Sequence, residues 1–470
     1  LSARRDVMRT LIATEPQRAL ALAASPVIRD ALPPELAAHV EQWRDGRGEF
    51  AVICGLVEEG NAPLADETWV SFAGDSYSLR ASVFGRREGQ LSNTNARLHG
   101  VELDGFIALT ESPLRRLEPG EARAALPVET PYDCGSPDQL LHGGDVVYAV
   151  CGDAQAQALE ASLEEEPPAS AWTEGPKTLL FVRVDFSDRV GDPIAQGSAE
   201  TLINTTVNNY FIASSYNLTT YSTTVTPTFR LPWTRATYLS DAGSYIQLRQ
   251  HALALATDAG YVVSSYSNDA VGFASVYSGW AGRGYVGGRG TWLNGSFTLR
   301  TTAHELGHNY GSQHANAWNT SLSPIDPGGS SIEYGNPFDI MGGGGGVVNH
   351  ITAWNKSRFN WLAPMATPTV MTSGTYRLQA LEPVVSTGIQ GLRIARNAQR
   401  AYWLEFRPAI NSANARDGIE VNWDGPDAKA HLLDMTPGDG NRNNAPLIIG
   451  RTFSDTAANI HITPVAKVAT

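Results

Sequence analysis

His304-Glu305-Leu306-Gly307-His308-Asn309-Tyr310-Gly311-Ser312-Gln313-His314 gathers three of the ten histidines of this 470-residue chain into eleven positions. On a helix, positions i and i+4 share a face, so His304 and His308 can aim their imidazoles at one point while Glu305 stands beside it. Gly311 can take a backbone conformation that other residues avoid, so the helix can stop there and turn back, bringing His314 round as a third nitrogen ligand. Three protein ligands leave the fourth tetrahedral position open for water, which separates a catalytic zinc site from a closed structural one. Glu305 is then the expected general base, moving a proton from water to a leaving amine. The plainer reading, a core helix that happens to carry histidines, has to account for five fixed positions by chance.

The spacing H-E-x-x-H-x-x-G-x-x-H resembles that of the metzincin zinc peptidases, whose second mark is a methionine turn beneath the metal. Tyr334-Gly335-Asn336-Pro337-Phe338-Asp339-Ile340-Met341-Gly342 supplies a candidate, with Met341, one of only five methionines, as the turn residue. This wording, with the Trp354 to Trp361 segment behind it, looks most like the gametolysin-type peptidases and their bacterial relatives. Astacins and serralysins place a tyrosine two residues after the methionine, where this chain has Gly343; Tyr334 is the candidate substitute for transition-state support, and a packed turn aromatic is the alternative. The resemblance implies a protein or peptide substrate lying antiparallel along an edge strand above the zinc. That strand is expected in the Gly-rich stretch 282–295, which also reads as an ordinary surface hairpin.

A chain of this length suggests two to four domains. A net charge of −13 without a basic cluster argues against nucleic acid as a partner, and no run approaches 18 consecutive apolar residues, so no membrane span is expected. Secretion to the extracellular space is implied by the peptidase class.

Along the chain, residues 1–48 read as a helical N-terminal part of a pro-region, broken by Asp45-Gly46-Arg47-Gly48. Residues 49–162 carry short β runs separated by Gly, Asn and Asp, the texture of a small β-barrel or sandwich pro-domain. The Glu-, Pro-, Ala- and Ser-rich residues 163–177 read as a linker open to activating cleavage. A catalytic domain is expected over 178–365. It opens on a buried strand at Thr178 to Phe186, and a helix follows at 199–210. A strand pair is then expected over 216–231, a helix over 240–259, and a return to the sheet at 261–266. Residues 366–470 read as a C-terminal β-sandwich. The fold class is therefore α+β: a metzincin-type catalytic domain between a helical plus β-barrel pro-domain and a β-sandwich.

All three cysteines, Cys54, Cys134 and Cys151, lie in the first third. Cys134-Gly135-Ser136-Pro137-Asp138 resembles the cysteine-switch segment of matrix metalloproteinase pro-peptides, though without its preceding Pro-Arg pair. A thiolate in the fourth zinc position would displace water and silence the enzyme, making the pro-domain its own inhibitor. Cys54 and Cys151 end apolar runs and could pair, leaving Cys134 for the switch; a Cys134–Cys151 disulfide is the structural alternative. Asp434, Asp439, Asn441, Asn443 and Asp455 could hold calcium, although turn chemistry alone also accounts for them.

Together these readings imply a secreted zinc endopeptidase in proenzyme form that hydrolyses extracellular proteins. The rival is a non-catalytic adhesin or carbohydrate-binding protein on the same scaffold, against which the intact Glu305 counts.

Overall fold

Leu179 to Val184 is apolar except for Arg183, and this run forms the spine of a sheet buried on both faces. A computed structural model describes residues 1–57, 67–72, 79–83, 94–110, 172–240, 244–343, 348–382, 388–397, 400–424 and 429–467. Strand β6 (Gly175–Asp185) runs parallel to both β7 (Thr219–Arg230) and β8 (Asn268–Phe273). Side chains alternate across a strand, so Leu179 and Phe181 enter one core while Leu180, Val182 and Val184 enter another. The first core is closed by a helix running through Gln196–Thr201, Leu202–Val207 and Asn208–Ser214, with Ala199, Ile203, Val207 and Phe211 turned inward. Helix Ser244–Asp258 closes the other through Leu248, Ala252 and Ala256.

Beyond β8 the sheet continues through β10 (Thr291–Asn294), parallel to β8, and β9 (Gly282–Tyr285), antiparallel to β10. The hairpin is buried along both strands rather than lying on the surface.

The far side of β9 pairs antiparallel with β1 (Gln42–Leu56), which also pairs with β2 (Glu67–Phe72) and β4 (Thr94–Leu103). With β3 (Leu79–Val83) and β5 (Phe106–Leu109), the order is β2-β3-β5-β4-β1-β9-β10-β8-β6-β7, one ten-stranded sheet. The separate β-barrel expected for residues 49–162 is thereby corrected over the described residues: β1 pairs with β9, and both belong to one sheet. The change from helix to strand expected at Asp45 to Gly48 comes earlier, between Ala37 and Gln42, so Gly46 and Gly48 lie inside β1. A Cβ on Gly48 would stand 2.5 Å from Leu98 Cδ1 and 2.8 Å from Ser71 O, so glycine there serves close strand approach. Helices Ser2–Thr14 and Pro16–Leu22 cover this end through Met8, Leu11, Ile12 and Ala19.

Two further expectations shift. The pair expected over 216–231 is the single strand β7, and 261–266 contains only the short turn of helix Val263–Ser265 before β8. Among the described residues, no helix is long and apolar enough to cross a membrane.

The C-terminal part is one seven-stranded mixed sheet rather than two facing sheets. Its order is β12-β11-β16-β15-β14-β13, with β17 pairing on β15. Strands β11 (Asn316–Asn319) and β12 (Ser330–Ile332) follow the third motif histidine, so the sheet crosses the boundary expected at 365. The others are β13 (Gly391–Asn397), β14 (Arg400–Glu405), β15 (Gly418–Asp424), β16 (Ala430–Leu433) and β17 (Leu447–Ile448). The ribbon of β18 (Phe453–Asp455) and β19 (Ile460–Ile462) packs into the same core.

Arg407 joins this sheet to the segment that holds Phe338 and His350. Its guanidinium is fully buried, donates to Phe338 O at 2.7 Å, His350 O at 2.8 Å and Glu382 Oε1 at 2.7 Å, and lies within 4 Å of Glu405 and Glu420. Burial pushes both of the latter carboxyls up while Arg407 opposes the shift. Removing one partner of a buried ionic cluster costs far more than losing an exposed pair, so Arg407→Met should lower stability by about 3–5 kcal/mol. Arg18→Ala, at the exposed Arg18–Glu15 pair, should cost under ~1 kcal/mol. Urea midpoints compare the two, and equal shifts would contradict this account.

Candidate functional site

Thr298 caps the motif helix Leu299–Tyr310, its side chain accepting from Thr301 N at 3.1 Å. The helix stops at Gly311, whose φ of +111° is left-handed space costly for a residue with a Cβ, and whose N–H donates back to His308 O at 2.8 Å. The reversal brings His314 beside the other two rings, with centroids 5.4 Å from His304 and 4.9 Å from His308.

Each ring is oriented from outside the cluster. His304 Nδ1 faces Ile340 O at 2.9 Å, His308 Nδ1 faces Ser312 O at 2.7 Å, and His314 Nδ1 faces Glu333 Oε1 at 2.7 Å. These oxygens can only accept, so Nδ1 carries the proton and Nε2 is the lone-pair nitrogen of each ring. Burial, and then the neighbouring His308 and His314, hold His304 well below the usual imidazole range, in its neutral form. Nε2 of His304 and Nε2 of His308 nevertheless lie only 3.1 Å apart. Two acceptors facing each other in a dry interior repel, and a cation between them removes the conflict. The donor set fits zinc: three imidazoles, fixed by acceptors behind them, in a buried site.

Glu305 is fully buried, and its ligand oxygen lies with nitrogens of His304 and His308 in a group spanning no more than 4.8 Å. Burial pushes its carboxyl well above the usual range, against weaker pulls from the Leu56 amide and Arg283. Met341 is also fully buried and lies beneath the helix, where a Cβ on Gly307 would stand 2.6 Å from its Sδ. Asp339 pins the turn, accepting from Met341 N at 2.7 Å and from Thr352 N at 2.8 Å.

Residues 196–401 match the family model of gametolysin peptidase M11. The chain carries a gametolysin-like peptidase domain. No curated protein and no solved structure matches it.

In this peptidase Tyr334 sits at φ +58° with its ring 4.0 Å from that of His314 and 6.0 Å from that of His304. It is the aromatic residue at the cluster. A tyrosine at 343 has no room, since a Cβ there would stand 2.6 Å from Tyr334 O.

Sequence reasoning missed several residues. Glu333 orients His314 and lies 3.6 Å from Lys429 Nζ, yet a lone glutamate nineteen residues after its histidine carries no local signal. Gly282 and Gly284 of β9 lie in the stretch expected as an edge strand or a surface hairpin, but their closeness to the motif helix carries no sequence signal; Cβ atoms on them would meet Glu305 Oε1 at 2.7 Å and the Glu305 backbone O. Cys54, expected as a possible disulfide partner, has its Sγ within 4.8 Å of nitrogens of His308 and His314. The roles expected for Cys134 and Cys151 lie outside the described residues.

Calcium is not supported, because the oxygens expected to bind it serve turns and an ion pair. Asp434 Oδ1 accepts from Thr436 N at 2.8 Å, Asp439 Oδ1 from Asn441 N at 2.8 Å and Asn441 Oδ1 from Asn443 N at 3.1 Å. Asp455 Oδ2 accepts from Arg396 Nε at 2.6 Å and Tyr402 Oη at 2.8 Å.

The contact between β9 and the motif helix leaves no slack, because the atom opposing Gly284 is backbone. Gly284→Ala should therefore cost about 1–3 kcal/mol and part the strand from the helix. Gly197→Ala, in a helix with nothing within 4 Å of the new Cβ, should be neutral or gain up to ~1 kcal/mol. Thermal unfolding of both variants tests this; a neutral G284A would show that the close approach is not enforced.

Proposed function

We propose that this chain is the latent form of a secreted zinc-dependent endopeptidase acting on extracellular proteins. The observation that carries the reading is the 3.1 Å approach of two lone-pair nitrogens, His304 Nε2 and His308 Nε2, with His314 alongside. His304, His308 and His314 would hold the metal and Tyr334 would flank it. Zinc, when bound, acts as a Lewis acid toward water and a scissile carbonyl.

The chain's own residues do the rest. Glu305 takes a proton from water and passes it to the leaving amine, and its elevated affinity for protons matches that two-way task. A substrate strand would add to β9 antiparallel, its backbone held by the ladder and its reacting carbonyl carried past Glu305. Tyr334 is suited to steady negative charge developing on the carbonyl oxygen. In the described form β1 occupies the β9 edge, which supports latency. Residues 172–177, expected as the end of an exposed linker, are instead hydrogen-bonded and enter β6 at Gly175, so cleavage within residues 163–171 is the proposed route to the active form.

Gelatin or casein hydrolysis after such cleavage tests the mechanism. Glu305→Ala should lower turnover by ~10²- to 10⁴-fold with zinc content unchanged, and a chelator should abolish activity in the parent. Equal turnover in parent and variant would remove Glu305 from the chemistry.

A further inference from the structure

Strand β1 meets β9 in the register Ile53↔Tyr285, Cys54↔Gly284, Gly55↔Arg283 and Leu56↔Gly282. The ladder is extended by Val286 N donating to Val52 O at 3.0 Å and Ala281 N donating to Leu56 O at 2.8 Å. Antiparallel to β9 is the direction proposed above for a substrate. Alternation then sends Ile53 into the core shared with Trp69 and Tyr245, and Cys54 to the opposite face, where the motif helix lies.

Two residues of β1 reach the two kinds of group that the chemistry needs. Leu56 N donates to Glu305 Oε1 at 3.0 Å, so the proposed base is engaged by a backbone amide. Cys54, only 2% exposed, places Sγ in the group with His308 and His314, and the thiol donates to Gln313 Oε1 at 3.5 Å, one residue before His314. Opposite Cys54 stands Gly284, where any side chain would collide with the motif helix.

We propose that Cys54, rather than Cys134, silences the site: its sulfur takes the fourth zinc position while the backbone of β1 fills the substrate edge. This deepens the zinc reading above and rests on it. On binding, the thiol gives up its proton to solvent and sulfur replaces one water; on release, sulfur regains a proton and water returns. No electrons are transferred.

β1 is also anchored away from the metal. Arg283 Nη1 on β9 lies 2.8 Å from Glu67 Oε2 on β2, and the Tyr245 hydroxyl donates to the same carboxylate. Burial works against the charged form of Glu67, but Arg283, Tyr245 and Trp69 outweigh it and hold the carboxyl below its usual range. The thiol is thus presented by a docked strand rather than by a loose loop.

The test uses the intact zinc-loaded chain and does not read activity. The zinc X-ray absorption spectrum should show one sulfur scatterer at about 2.3 Å. Thiol labelling followed by peptide mapping should find Cys54 at least ~10-fold slower to react than after chelation, with no such change at Cys134. In the cobalt-substituted chain, the thiolate charge-transfer band should persist in Cys134→Ser and vanish in Cys54→Ser. The wild-type spectrum and labelling carry the result even if C54S fails to fold. A zinc site with nitrogen and oxygen scatterers only would overturn the role of Cys54 and leave the zinc reading standing. A band lost in C134S and kept in C54S would return the switch to Cys134. A chain that binds neither zinc nor cobalt would overturn both readings.

Discussion

His304 and His308 turn lone-pair nitrogens toward each other in a buried site with His314 beside them, and little else between residues 299 and 342 is free to vary once they do. Burial disfavours a charged imidazole, so protonation cannot relieve the approach of His304 Nε2 to His308 Nε2. The rings have to be held from behind. Ile340 O comes from the methionine turn, Ser312 O from the reversal after the helix, and Glu333 from the segment after β12. Each acceptor lies on a different piece of chain, so the segments between residues 299 and 342 must all adopt one arrangement together. Glycines make that arrangement possible: Gly311 by its left-handed backbone, and Gly342 because a Cβ there would stand 1.9 Å from Asn336 O.

The C-terminal sheet belongs to the same construction. β11 leaves the third histidine directly and pairs in parallel with β16, matching Asn316 to His431. β12 pairs with β11 and delivers Glu333 one residue after its end. His431 Nε2 lies 2.8 Å from Ser331 Oγ, so the sheet also braces the strand that carries this orienting carboxylate. Arg407 holds Phe338 O and His350 O on either side of the methionine turn. On the proposed reading, the positions of His314 and of the turn beneath the metal are therefore set partly by a sheet whose strands come mostly from after residue 390.

The motif helix, its stop at Gly311 and the buried strand around Leu179 to Val184 were legible in sequence, because each is written in a local pattern of period or backbone freedom. β1 was not. Its Gly46 and Gly48 look like breakers in one dimension, and only the approach of Leu98 and Ser71 shows that Gly48 admits neighbouring strands. β8 was misplaced because it opens on Asn268 and Asp269, polar residues that are nonetheless buried. Asp269 is neutralised there by Arg249 and Arg289, a pairing no sequence window contains. Cys54 was weighed as a disulfide half because nothing near it in sequence contains a histidine; topology sets it beside residues more than 250 positions away.

On the proposed reading, that topology also bears on how latency ends. A strand tethered within its own chain competes for the β9 edge at an effective concentration that a separate substrate strand does not match. Cutting the connection ahead of Trp172 and β6 removes that advantage but none of these contacts. The ladder on β9, the Glu67–Arg283 pair and the packing of Ala51, Ile53 and Trp69 against Tyr245 and Tyr285 all survive the cut. Release then depends on the dissociation of a docked β unit, not on the cut itself. A second cut within β1, or displacement of Cys54 from the metal, would shorten the life of the nicked complex by weakening the contact that joins the strand to the histidines.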